Sequence, residues 1–411
     1  MRILTLYIVC LGWWIVSSGC SSGSASVPVP DVSTPAPDTL VVAEVTVLDD
    51  AVQGDTGNTP DAARPVLMNP TPAGETRYVR LQSAENGAIA LRMRLPETPR
   101  YPEGAPIVIQ APTFFTPKSG YGDSMDVTSL GMIDISFLIP GTSDPGSGTS
   151  TDGERDYGGL GTIAVFRDVV RFALGLEPDE NGHTIQQLTQ VVPLVENVGL
   201  YAFSHPGIAA TNVVANHGLE MPGLQYIVGR ENPTIDPICS VEVGHWDDNN
   251  GTQPRANPYY TYPESYSPTE LTMDMSTVGW LVNDEYPEGR PYFGVLNGPD
   301  FVLGKRVPSM WDKRYYSRAL TQALWDNGAL TESTWPEDLA TPEEALAHWP
   351  DRTCAHRYAD VATQSTQLKV MLVFAQRDHV NVALDFPHVH QAYDGFRHTA
   401  GLWVRINPDR A

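Results

Sequence analysis

Apolar runs that alternate with helical patterns dominate the chain from about residue 75 onward. Two alternating runs between Tyr78 and Pro96 predict an antiparallel hairpin. Continuous apolar runs bounded by glycine and proline are typical of buried parallel strands. Such strands are predicted in APIVIQAP, IDISFLIPG, NVGLYAFS, LQYIVGREN, LKVMLVFAQRD and LWVRIN, and helices in TIAVFRDVVRFALGL, GIAATNVVANHG and VHQAYDGFRHTA. This alternation predicts an α/β fold with a doubly wound, mostly parallel sheet.

The alternation stops between about residues 232 and 367. This stretch holds the aromatic run NPYYTYPESY and predicted helices near Lys313–Asn327 and Thr341–His348. We expect a lid insertion over the carboxyl edge of the sheet. Its aromatic side chains either line an apolar or sugar-binding groove or form the core of the insertion itself. Because α/β folds often exceed 200 residues, we expect residues 75–411 to form one domain.

The N-terminal 74 residues have a different character. Arg2 precedes an apolar run of 14 residues from Ile3 to Val16, which is too short to span a bilayer but suits a signal peptide. Ser17-Ser18-Gly19-Cys20 resembles a bacterial lipobox, although Ser17 stands where leucine is usual. We therefore expect a lipoprotein signal peptide over 1–20 and a lipid anchor on Cys20; ordinary signal cleavage is the alternative.

Residues 21–74 are rich in proline, serine and threonine, which predicts a tether. Together with the lipid on Cys20, this predicts an exported protein anchored in the cell envelope of a bacterium. The periplasm, the outer membrane and the cell surface are all compatible with such an anchor.

Composition excludes several classes of partner. The chain has 411 residues and a formal net charge of −23, which opposes nucleic-acid binding, so we expect no such partner. Neither a glycine-rich nucleotide loop nor a set of metal ligands at the usual spacing occurs, so we expect no cofactor and no metal. Composition does not determine the oligomeric state.

Two cysteines remain once Cys10 leaves with the signal peptide and Cys20 carries the lipid. Cys239 and Cys354 form a candidate disulfide in an oxidising compartment. Whether they pair stays open at this point.

The segment 201–207, YAFSHPG, lies where a predicted strand meets a predicted helix. A serine on such a sharp turn is the nucleophile elbow of α/β-hydrolases, usually written G-x-S-x-G. Ala202 supplies the small residue before the serine, but Pro206 stands at the second glycine position and Gly207 comes one residue late. Proline suits the first turn of a helix. Ser204 is the predicted nucleophile, and capping of the helix is the alternative role.

With this elbow, residues 75–411 resemble the α/β-hydrolase superfamily in strand order and insertion site. The resemblance implies a nucleophile, an acid and a histidine in that chain order. Asp378, after the apolar run VMLVFA, is the expected acid, with Asp236 in reserve. The histidine normally follows the last strand, but only Pro408-Asp409-Arg410-Ala411 come after LWVRIN. The candidates are His379, His388, His390 and His398.

We favour His388 as the base because it follows Phe386-Pro387 and precedes the last helix, so it has room to turn back toward Ser204. The resemblance also implies an oxyanion hole. One donor is the backbone N–H of His205, and the other comes from the loop around Thr113 and Phe114.

The resemblance predicts a serine hydrolase that cleaves small-molecule carboxylic esters, or secondly peptides, through an acyl-enzyme. The alternative is a binding or surface lipoprotein that keeps the fold without catalysis. Two departures motivate the alternative, namely Pro206 and the missing late histidine. Labelling by a fluorophosphonate distinguishes the two.

Overall fold

The structure is a computed structural model of the chain. It describes residues 69–112, 120–122, 124–233, 244–247, 253–256, 276, 278–284, 286–295, 298–302, 316, 318–375 and 387–407.

The described part contains both β-strands and helices in alternation. Its strands are β1 (Thr76–Ser83), β2 (Gly87–Arg94), β3 (Ala105–Gln110), β4 (Ile133–Phe137), β5 (Ser143–Asp144), β6 (Thr149–Ser150), β7 (Pro193–Phe203), β8 (Leu224–Arg230), β9 (Gly244–Asp247), β10 (Gln253–Ala256), β11 (Val278–Leu281), β12 (Arg290–Val295), β13 (Gly298–Val302), β14 (Lys369–Ala375) and β15 (Gly401–Asn407). Its α-helices are α1 (Leu160–Ala173), α2 (Ile185–Leu188), α3 (Pro206–His217), α4 (Arg318–Asp326), α5 (Pro342–His348), α6 (Tyr358–Gln364) and α7 (Pro387–Phe396).

The main sheet has eight strands among the described residues, in the order β1-β2-β4-β3-β7-β8-β14-β15. The predicted hairpin is present, because β1 and β2 pair antiparallel from Thr76↔Arg94 to Ser83↔Gly87. Strand β2 also pairs antiparallel with β4, and every pair from β4 to β15 is parallel. The predicted doubly wound, mostly parallel sheet is confirmed.

Burial along the strands explains why the central runs are continuously apolar. All residues of β3 and β4 are buried, as expected for parallel strands covered on both faces. Strand β15 lies at the edge of the sheet and is only partly buried, with Trp403 48 % exposed. The hydrophobic core therefore lies around β3, β4 and β7.

Helix α3 occupies the centre of the helical layer. It packs on β7, and α1 and α6 lie against it. Its residues from Pro206 to Ala215 are all buried, which explains why the segment IAATNVVA has no polar stripe along one face. Because these contacts surround α3, they hold in place the helix that begins just after Ser204.

The stretch predicted as a lid contains helices α4 and α5, which correspond to the two helices predicted there. It also contains strands β9 to β13 in two small antiparallel sheets that were not predicted. Each of these strands (GHWD, QPRA, VGWL, RPYFGV and GPDFV) contains a glycine or a proline, so none shows the continuous apolar run by which the buried strands of the main sheet were predicted. Thr71, within the predicted tether, is bridged to Thr189.

None of the helices in the described ranges is both long and apolar enough to cross a membrane. The predicted signal peptide and Cys20 lie outside those ranges.

Candidate active site

Ser204 lies on a sharp turn between β7, which ends at Phe203, and α3, which begins at Pro206. Its φ is 63°, in the left-handed region that a non-glycine residue rarely adopts. Such strain persists only when the surrounding structure holds the backbone in place. The N-cap of α3 is His205, so Ser204 does not occupy the capping position of the alternative interpretation. The strand–turn–helix geometry predicted for this segment is present.

Backbone hydrogen bonds hold the turn on both sides of Ser204. Its N–H donates to the Arg230 carbonyl at 2.7 Å, which joins the turn to the end of β8. Its own carbonyl accepts from the Gly207 N–H at 2.9 Å. Ala202 is fully buried beneath the turn. The turn is therefore tied to two strands and to the first turn of α3.

Asn232, two residues after β8, was not identified from the sequence. Its side chain is 9 % exposed, and its Nδ2 lies within hydrogen-bond distance of three carbonyl oxygens. These are the carbonyls of Ala202 at 3.1 Å, Ser204 at 2.7 Å and Arg230 at 3.2 Å. Only tertiary proximity identifies this contact, because Asn232 is 28 residues away from Ser204.

Asn232 also explains why position 207 holds a glycine. A Cβ at position 207 would lie 2.2 Å from the Asn232 Cγ, and a Cβ at position 229 would lie 2.0 Å from its Oδ1. Gly207 and Gly229 thus leave the space that the amide fills. Pro206 lies at the first position of the helix, where its missing N–H has no intrahelical acceptor.

Two imidazoles lie at the same edge of the sheet. The Ser204 hydroxyl forms a hydrogen bond with His205 Nδ1 at 3.3 Å. His388 lies in the first turn of α7, is 5 % exposed, and packs edge-on against Phe374 with ring centroids 5.4 Å apart. In the part of the chain that is described, Ser204 forms no hydrogen bond with His388.

Strand order limits the distance between Ser204 and His388. Only β8 lies between β7 and β14, so the carboxyl ends of those strands are about 10 Å apart. His388, beside the end of β14, is therefore near the edge that carries Ser204. His390 and His398 are exposed, which leaves His388 as the buried one of the three described candidates.

Several predicted site residues lie outside the described residues. These are Asp378, Asp236, His379, Thr113, Phe114 and Cys239. The acid and the second oxyanion donor therefore stay predictions, and so does the disulfide. Cys354 is buried, and its Sγ lies 3.5 Å from the Tyr358 hydroxyl and 3.9 Å from the Pro233 carbonyl oxygen.

Two further polar residues near this edge were missed by the sequence analysis. Glu231 has a φ of 54°, and both of its carboxylate oxygens are buried. Gln110, at the end of β3, accepts hydrogen bonds from the N–H groups of Ser124 and Met125. It therefore anchors residues 124 and 125 to the end of β3.

Gln110 Nε2 also donates to Asp134 at 2.6 Å. Burial raises the pKa of Asp134, whereas the hydrogen bond from Gln110 and the ion pair with Arg94 oppose that rise. Buried polar groups of this kind are stable only when they are hydrogen-bonded. The network therefore supports the strand end next to β7.

Strand order, the antiparallel β2 and the elbow after β7 together define an α/β-hydrolase fold with a long insertion before β14. In the described ranges, no group of three or more histidine, cysteine, aspartate or glutamate side chains is arranged to hold a metal ion.

Comparison with known proteins gives only distant similarities. No family model matches the chain, and no curated protein sequence matches it. Among solved structures, it is similar to an acylaminoacyl peptidase of Pyrococcus horikoshii (11 % identity, TM-score 0.38, covering 82 % of this chain and 37 % of that one). It is also similar to the alpha/beta hydrolase GrgF of a Penicillium species (12 %, TM-score 0.36, 80 % and 90 %). A third similar structure is an esterase of Pyrobaculum calidifontis (11 %, TM-score 0.37, 82 % and 79 %).

Proposed function

We propose that this protein is a serine hydrolase of the bacterial cell envelope that cleaves carboxylic esters through an acyl-enzyme on Ser204. The observation that carries the proposal is the strained backbone of Ser204, with its φ of 63°, between β7 and the N-terminus of α3. Strained non-glycine residues cluster at functional sites. A serine held in this way presents its hydroxyl at the carboxyl edge of the sheet.

The reaction begins when Ser204 Oγ attacks the ester carbonyl and loses its proton to an imidazole. His388 is our proposed base, and Asp378 orients its ring and stabilises the imidazolium. The same imidazolium then donates its proton to the leaving alcohol, and water hydrolyses the acyl-enzyme. Because His205 Nδ1 lies 3.3 Å from Ser204 Oγ, His205 is the competing base.

The tetrahedral intermediate carries a negative charge on the former carbonyl oxygen. Its first proposed donor is the backbone N–H of His205 at the start of α3, where the positive end of the helix dipole favours the same charge. The second donor is proposed to come from the loop around Thr113 and Phe114. That loop leaves β3, which is the strand adjacent to β7.

We rank ester cleavage above peptide cleavage because an insertion rich in aromatic residues suits a bulky, partly apolar acyl or alcohol group. A peptidase is the second candidate. We further propose that the signal peptide over 1–20, the lipid on Cys20 and the tether hold the enzyme at the membrane. An inactive binding lipoprotein is the competing class of function.

The test is covalent labelling of the full chain, purified in mild detergent, with a fluorophosphonate probe. We expect the wild type to be labelled and Ser204→Ala to remain unlabelled. Ser129→Ala is the matched control, because Ser129 is an exposed serine on a short 3₁₀ turn. A well-folded wild type that does not react would contradict the proposal and favour the binding lipoprotein.

The base and the acid are tested by steady-state hydrolysis of short p-nitrophenyl esters. His388→Ala and Asp378→Asn should each lower kcat at least 100-fold, as expected for members of a catalytic triad. His205→Ala is the comparison variant, because His205 is the competing base. If His205→Ala is the more damaging of the two histidine substitutions, then His205 is the base. A peptide p-nitroanilide in the same assay decides between esterase and peptidase.

A further inference from the structure

The buried amide of Asn232 contacts the turn that carries Ser204, although no step of the proposed reaction uses it. Its Nδ2 lies 2.7 Å from the Ser204 carbonyl oxygen, which is the shortest of its three contacts with carbonyl groups. The same carbonyl also accepts the Gly207 N–H at 2.9 Å. Both acceptor directions of the Ser204 carbonyl are therefore occupied.

The Ser204 carbonyl and the His205 N–H belong to one peptide group. A trans peptide is planar, so its C=O and its N–H point in opposite directions. Fixing the direction of the Ser204 carbonyl therefore fixes the direction of the His205 N–H. That N–H is the proposed oxyanion donor.

Hydrogen bonding to the carbonyl has a second effect on the same peptide. Chains of hydrogen bonds polarise one another, so a donor on the C=O side makes the N–H a stronger donor. Asn232 is buried, where such electrostatic effects are less screened than in water.

We infer that Asn232 is a positioning residue for the oxyanion hole: through the Ser204 carbonyl it orients and polarises the His205 N–H. The inference rests on the proposed serine-hydrolase function. Two glycines support it, because Cβ atoms at positions 207 and 229 would overlap the amide. Gly207 is thus part of the turn and also leaves room for the Asn232 amide next to the Ser204–His205 peptide.

The test compares Asn232→Asp with Asn212→Asp in the full chain. Asparagine to aspartate keeps the size and replaces the donor NH₂ by an oxygen, which repels the carbonyls. Asn212 is the matched control, since it is a buried asparagine whose Nδ2 donates to the carbonyls of Asp351 at 3.0 Å and Thr353 at 3.1 Å.

For Asn232→Asp we expect kcat for a p-nitrophenyl ester to fall about 10- to 100-fold, somewhat less than the loss of a whole oxyanion donor. KM should stay within about threefold of wild type, because the interaction matters mainly in the transition state. Asn212→Asp should lower the melting temperature while leaving kcat near the wild-type value.

A trifluoromethyl ketone, which forms a tetrahedral oxyanion adduct with serine, gives a readout that a purely structural role would not change. Its affinity should fall by the same factor as kcat/KM in Asn232→Asp. Should that variant not fold, Asn232→Ser, which removes the amide and leaves a shorter hydroxyl, is measured in the same way.

The inference is overturned if a folded Asn232 variant keeps the kcat and the inhibitor affinity of the wild type while the wild type is labelled by the fluorophosphonate. In that outcome the proposed serine-hydrolase function is retained and only the proposed role of Asn232 is rejected. An unlabelled, folded wild type overturns the proposed function, and the inference with it.

Discussion

Ser204 should be a position at which glycine is more stable than alanine. An L-residue in the left-handed region costs about 1–2 kcal/mol, whereas glycine adopts it freely. At ordinary positions alanine is the more stable by about 0.5–1 kcal/mol, because glycine loses more conformational freedom on folding. With φ at 63°, the balance should reverse, and Ser204→Gly should exceed Ser204→Ala by about 0.5–1 kcal/mol in the free energy of unfolding.

Comparing the two variants isolates the backbone, because both remove the hydroxyl and its hydrogen bond with His205. The assay is urea denaturation followed by tryptophan fluorescence, with both variants measured in the same buffer. Ala202→Gly is the control. Ala202 is fully buried in β7, the strand that leads into Ser204, and its replacement should lower the free energy of unfolding by about 1 kcal/mol. If Ser204→Ala is as stable as Ser204→Gly, the turn stores no backbone strain and the main support for the nucleophile is lost.

Three other expectations concern packing, protonation and the cysteines. Gly207→Ala should lower both the melting temperature and fluorophosphonate labelling, because its Cβ would overlap a buried amide, whereas Gly122→Ala has open space and should do neither. Burial lowers the pKa of His348 from 6.5 to about 3, so below pH 6.5 the unfolded chain binds a proton that the folded chain does not. The free energy of unfolding should therefore decline from pH 6.5 toward pH 3, less steeply in His348→Gln, and equal slopes would contradict this. Non-reducing peptide mapping decides whether the candidate disulfide forms: a linked pair of peptides would establish a bond between Cys239 and Cys354, and recovery of both residues as alkylated thiols would exclude it.

The sequence by itself determined the class of fold and the place of the candidate nucleophile. Continuous apolar runs predicted the buried strands, and the two alternating runs predicted the hairpin, because burial on one or both faces is a local property of each strand. The meeting of the run NVGLYAFS with a helical pattern located Ser204. The strands of the insertion lack such continuous apolar runs, since each contains a glycine or a proline, and they were not predicted.

Only the tertiary structure decided what surrounds Ser204. Asn232 carries no local signal, since an asparagine before Pro233 reads as an ordinary loop residue, and its contact spans 28 positions. The reason for glycine at 207 is likewise the space taken by that amide. His388 was chosen from the sequence, but its burial against Phe374 and the exposure of His390 depend on how α7 packs against α6 and β15. Periodicity encodes which face of an element is buried, whereas the partner of a polar side chain depends on which strand ends the fold brings together.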